Sequence, residues 1–121
     1  MNFTRATHLL AMDMATLTDI SRGKGLLQDA KEFYKQAFEL EKKAASMTIP
    51  TGSDIDSHFI LIRSAASLAL TAGLFEEGKQ LIKTSLLKKP PQWIIKELEE
   101  VLILIENAYK NGHLSKEKEN S

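Results

Sequence analysis

Ser53–Pro91, SDIDSHFILIRSAASLALTAGLFEEGKQLIKTSLLKKPP, decides the fold. Ser53 is a good N-cap, and Asp54 and Asp56 place acids in a first turn, where the helix dipole favours them. A third helix of the chain therefore begins here. Ile55, Phe59, Ile62, Ala66, Ala69 and Leu70 recur at helical spacing on one face, with Leu61, Ala65, Leu68 and Ala72 on the opposite one. A helix apolar nearly all round belongs at the centre of a domain. Gly73 ends it. Within two or three residues a fourth helix, Phe75 to Leu87, carries Phe75, Gly78, Ile82 and Leu86 on its inner stripe, and Pro90 and Pro91 stop it.

Outward from this stretch the punctuation repeats. Gly23 and Gly25 close a first helix, Thr4 to Ser21, whose expected inner stripe is Phe3, Ala6, Leu10, Met14, Leu17 and Ser21. A second helix, Leu26 to Ser46, presents Leu27, Ala30, Phe33, Tyr34, Ala37, Phe38 and Ala45, and a connection containing Pro50 and Gly52 follows it. A fifth starts at Pro91, where the missing N–H costs nothing. It shows Ile94, Leu98, Val101, Leu102, Ile105 and Tyr109 as its stripe, leaves Ile103 opposite, and closes near Gly112. Seventeen leucines and twelve alanines against one valine favour helix. No stretch alternates with period two long enough for a strand. The expectation is one all-α domain of about five helices over residues 1–114, with a disordered polar tail over 115–121.

At 121 residues and 43% hydrophobic, the chain is long enough for one core. Sixteen basic against sixteen acidic side chains leave no excess charge for a nucleic-acid or anionic-membrane surface, so neither partner is expected. The longest apolar run, Val101–Ile105, is far below the ~20 residues of a membrane span. Without cysteine there is no disulfide framework, thiol nucleophile or cysteine-based zinc site. Arg5, His8, Asp13 and Asp19 break any signal-peptide core near the N-terminus, so the expected location is cytoplasmic.

Gly73-Leu74-Phe75-Glu76-Glu77-Gly78, leading into Ile82, Ser85, Leu86 and Pro90, resembles the helix-turn-helix core of a tetratricopeptide repeat, with its Gly-x-Tyr-x-x-Ala turn and closing proline. The same frame laid on Gly25 matches Leu27, Ala30, Tyr34, Ala37 and Phe38. The chain departs from the family in several places. Gly25 to Gly73 is 48 residues, about fourteen more than the family's 34. Gly78 and Ser85 replace alanines, Met14 and Ile62 stand where the family has tryptophan, and Leu27 replaces an aromatic. The resemblance covers about residues 11–90, with the fifth helix as a solvating cap. It implies two antiparallel hairpins that bind another protein or a peptide. The first helix of each repeat would line the groove, through Ile60, Arg63, Ser67, Leu70 and Thr71 in one and Met12, Ala15, Asp19 and Arg22 in the other. Asp19, Arg22, Ile60, Arg63, Ser67 and Thr71 are the candidate contact residues. Gly78→Ala, which restores the family residue, is expected to be neutral or slightly stabilising.

Catalytic and metal constellations are weak. Asp54, Asp56 and His58 could offer carboxylates and an imidazole to a metal, but read more simply as an acidic helix start followed by a surface histidine. Gly23-Lys24-Gly25 lacks the remainder of a phosphate loop. Glu76/Glu77 and Glu99/Glu100 fall on solvent faces with no apolar pocket to tune them. No catalytic, metal or cofactor residue is expected. Asp13, Glu41 and Arg63 lie in or beside apolar stripes, so Arg63 is expected to be held by Asp13 or Glu41 across the helix packing. Three functional classes follow: a non-catalytic scaffold binding another protein or peptide, a homodimeric structural or regulatory partner of a cognate gene product, and a small-ligand binder or enzyme. Excess exposed apolar residues would favour the second, and a deep pocket with converging polar groups the third.

Overall fold

The computed structural model describes residues 3–119, and the side chains of all of them except 27, 28 and 113–119. Five α-helices follow one another: α1 (Phe3–Gly23), α2 (Leu27–Ser46), α3 (Ile55–Ala72), α4 (Phe75–Leu86) and α5 (Gln92–Glu119), with a 3-10 turn at Gly52–Asp54 ahead of α3. The described residues contain no strand, so the chain is all-α as its punctuation predicts. No helix among them is long and apolar enough to cross a membrane.

The turns of the two hairpins have the same backbone. Gly73 adopts a left-handed φ of 77°, which lets the Leu74 N–H reach the Ala69 carbonyl at 2.9 Å and the Gly73 N–H reach Leu70. Gly25 has the same φ, and Leu26 and Gly25 donate in the same pattern to Ser21 and Arg22. This double closure satisfies carbonyls that a helix end leaves orphaned, and only glycine enters it without a Cβ penalty. Each turn then launches its second helix with an i→i−4 bond of 3.0 Å, from Ala30 to Leu26 and from Gly78 to Leu74.

The centre of the fold is α3, packed against α2, α4 and α5. Phe59, Leu61, Ile62, Ala65, Ala66, Ala69 and Ala72 are all buried, the outcome its two apolar faces predict. Ile82 of α4 and Ile94, Leu98 and Ile105 of α5 complete the main cluster. Ala44 and Ala45, near the C-terminal end of the twenty-residue α2, join the same cluster. The extra length of this hairpin is therefore spent covering the start of α3.

Two expectations about helix ends are corrected, and one about packing is sharpened. Ser53 makes no capping bond; the 3-10 turn precedes α3 instead. The backbone of α5 remains helical through Gly112 to Glu119. The tail expected over 115–121 falls on residues whose side chains, and for 120 and 121 the backbone, lie outside the described part. At Gly78 the helices do meet, but a Cβ there would lie 3.0 Å from the Ala69 Cβ and 2.9 Å from the Ile105 Cδ1. Ala69 is held by its own helix and Ile105 is fully buried. A Cβ at Gly78 therefore requires Ile105 or Ala69 to shift, because α5 closes the space from a third side, and Gly78→Ala is expected to lose rather than gain stability.

The largest departure is in α1. Of its expected inner stripe only Ser21 is buried, while Phe3, Ala6, Leu10 and Leu17 are exposed and Met14 is half-buried. Ala11, Thr18 and Ser21 face inward instead. These small side chains let α1 approach α2 closely, where Ala30 and Ala37 are buried as well, and bulkier residues would hold the two helices apart. Thr18 satisfies its buried hydroxyl by donating to the Met14 carbonyl at 3.1 Å.

Candidate functional site

The outward face of α3 carries Ile60, Arg63, Ser67 and Thr71 at spacings of three and four, with Ile60 and Ser67 exposed and Arg63 half-buried. The partner of Arg63 is neither Asp13 nor Glu41 but Glu97 of α5, to which its Nη1 donates. Asp13 is exposed on α1. Both partners of the ion pair keep more than a third of their side-chain surface in solvent, which limits the strength of the pair. Ile105 of α5 meets the helix crossing at Ala69 and Gly78, so α5 runs alongside α3 in the same direction from the Arg63–Glu97 pair. Trp93, one turn before Glu97, and Ile60, one turn before Arg63, consequently lie on the same side of the pair. They are 46% and 41% exposed. The Thr71 hydroxyl donates to the Ser67 carbonyl within the helix.

The other two candidates form a separate group. Asp19 and Arg22, both exposed, sit near the end of α1, where Tyr34 of α2 engages them. The Tyr34 hydroxyl is 3.5 Å from Asp19, and the Arg22 guanidinium lies 5.2 Å from the Tyr34 ring centroid. The main packing of α1 is on α2 rather than on α3. The structure thus brings Ile60, Arg63, Ser67 and Thr71 together and leaves Asp19 and Arg22 in a cluster of their own. Trp93 and Glu97 were absent from the candidates. Their signal was an exposed-type aromatic and an acid one turn apart at the start of the fifth helix, but which face met α3 depended on the packing.

A buried carboxylate lies where α1, α2 and α3 meet. Glu41 of α2 is fully buried and accepts from His8 Nδ1 of α1, at 2.7 and 2.9 Å to its two oxygens, and from Ser64 Oγ of α3 at 2.6 Å. One acid thereby links three helices, which answers the position of Glu41 within an apolar stripe. His58, expected at the surface, is buried against the end of α2. Its Nδ1 lies 2.8 Å from Thr48 Oγ1 and 3.1 Å from the Ala45 carbonyl, while Nε2 has no partner. The Thr48 hydroxyl donates to the Ala45 carbonyl at 2.6 Å, so the ring proton belongs on Nδ1. Burial, and secondarily the charge of Lys88, holds the His58 pKa below its usual range.

The remaining features are open surface. A cleft of about 490 Å³ between α2 and α4 is edged by Lys42, Glu76, Glu77 and Gln80, and one of about 320 Å³ between α4 and α5 by Phe75, Lys79, Ile105 and Tyr109. Among the described residues no group of three or more histidine and acidic side chains is placed to hold a metal ion. Asp54 and Asp56 are exposed, whereas the His58 ring is turned inward. No protein-family model matches this chain, and neither a curated protein nor a solved structure does.

Proposed function

We propose that the chain is a non-catalytic, tetratricopeptide-like helical scaffold of the cytoplasm, which binds an extended segment of another protein along α3 and α5. The observation that carries this reading is that exposed Ile60 and Trp93 each stand one turn before a member of the Arg63–Glu97 ion pair. Tryptophan and arginine dominate binding energy at interfaces, because each combines a large contact area with fixed polar geometry. An apolar side chain of the partner packs between Ile60 and Trp93, and its polar groups meet Arg63, Glu97 and the Ser67 hydroxyl. The 34 residues that separate Arg63 from Glu97 support the family resemblance, since that is the family's period. The two matching glycine turns support it as well.

Selection of displayed peptides on the immobilised chain tests the reading. Peptides with an apolar anchor should be enriched, and Ile60→Ser/Trp93→Ala should weaken them at least tenfold while leaving the helix content unchanged. Enriched peptides that bind the double variant as well as the wild type, or the absence of any enrichment, would overturn it.

A further inference from the structure

The exposed side of α1 presents Phe3, Ala6, Leu10, Asp13, Leu17 and Ile20, a spacing of three and four repeated without a break. Leu9 adjoins the stripe, and the five large apolar side chains are between 40% and 63% exposed. Alternation of three and four is the spacing that keeps one seam of a helix against a second helix. Within the described residues no helix covers that seam, because α1 packs on α2 through the adjoining face of Ala11, Thr18 and Ser21.

We propose that this stripe is an interface with a second copy of the same chain, two α1 helices lying antiparallel about a twofold axis between residues 11 and 12. That register sets Phe3 against the partner's Ile20 at the ends of the seam and the small Ala6 against the partner's Leu17. It also sets Asp13 against the partner's Leu10, so the two carboxylates fall on either side of the axis. A parallel pair would force them face to face. The area fits a dimer. Side chains of this size bury about 150–250 Å² when aromatic and somewhat less when aliphatic, so the stripe offers on the order of 400–500 Å² per copy. Two copies with the residues flanking the seam then bury about 1,000 Å² or more, the lower bound of a specific interface. Apart from Asp13 the seam is uncharged, and its flanks carry Thr7, Met14 and Thr16 rather than charges that would select a different partner. The surface is separate from the α3–α5 face and does not depend on it.

Sedimentation equilibrium of the full chain between about 1 and 200 μM tests the proposal, with circular dichroism as the control for folding. The wild type should reach a dimer within this range. Leu10→Glu/Leu17→Glu should be monomeric throughout with unchanged helix content, since both side chains are already exposed in the monomer. Asp13→Leu should tighten the dimer at least tenfold, and Ile103→Glu/Leu104→Glu on α5 should leave it intact. A wild type monomeric throughout, a dimer indifferent to Leu10→Glu/Leu17→Glu or to Asp13→Leu, or a dimer abolished by the α5 variant would overturn it.

Discussion

Hairpin α1–α2 and hairpin α3–α4 turn through the same backbone, with Gly25 and Gly73 both at φ 77° and equivalent hydrogen bonds closing each turn. Beyond the turn they differ in what surrounds them. In the second hairpin α3 has neighbours on three sides, so both its apolar faces are buried. In the first, α1 buries only Ala11, Thr18 and Ser21, and its leucines face solvent. The same local frame therefore yields a core helix in one place and a surface helix in the other. Burial of a stripe is decided by what lies across from it.

The sharpest test of this contrast compares large-to-small substitutions in the two hairpins. Phe59→Ala should cost about 3–5 kcal/mol, as the loss of a fully buried aromatic does. Leu17→Ala should remain within about 0.5 kcal/mol, measured by urea unfolding at a concentration where the chain is monomeric. Comparable costs for the two would erase the distinction between the hairpins.

Glu41 joins the first hairpin to the second, and its removal should be nearly as severe. Glu41→Ala strips the acceptor from His8 and Ser64 and leaves a void, at a cost of about 2–3 kcal/mol. A cost below about 1 kcal/mol in thermal unfolding would mean that α1 does not depend on this link. Gly78→Leu drives a side chain into Ala69 and Ile105 and should cost about 1–3 kcal/mol, with Gly78→Ala a smaller loss in the same direction. A stabilised Gly78→Ala would show that the α3–α4–α5 crossing yields more readily than its distances indicate.

His58 adds a dependence on pH at the junction of α2 and α3. Its folded pKa lies below its unfolded value near 6.5, so the unfolded chain binds the proton more readily. The contribution of neutral His58 is complete above about pH 6.5 and is lost as pH falls from there towards the depressed folded value. Urea midpoints measured from pH 7.5 downward should decline more steeply for the wild type than for His58→Leu. Parallel slopes would place the acid sensitivity elsewhere. Arg63→Met should have only a small effect. Because the Arg63–Glu97 pair is well exposed, the loss should be no more than about 1 kcal/mol. A larger loss in urea unfolding would make Arg63 a structural residue of the second hairpin.

Among the candidate residues, Ile60, Arg63, Ser67 and Thr71 could be grouped from the sequence alone, since spacings of three and four put them on one face of any helix. Trp93 and Glu97 could not be added to them, because thirty residues and two turns intervene and the fifth helix could have been rotated about its axis. Arg63 illustrates the limit. Its position within an apolar stripe announced a partner, yet neither of the two acids that pattern pointed to, Asp13 and Glu41, is that partner, and the actual one came from α5.

What the sequence determined by itself was local. Glycine at both hairpin turns, proline before α5 and apolar residues on two sides of α3 act within a few residues of the chain, so the number of helices, the approximate limits of α1 to α4 and the central helix follow directly. Only the tertiary structure decided which stripe of α1 turns inward, that a carboxylate bridges three helices, that His58 is buried and that Ile105 closes on Gly78. Each of these depends on how closely helices distant in sequence can approach. In α1 the small residues prevailed, because burying Ala11, Thr18 and Ser21 lets the helix lie closer to α2 than burying its leucines would.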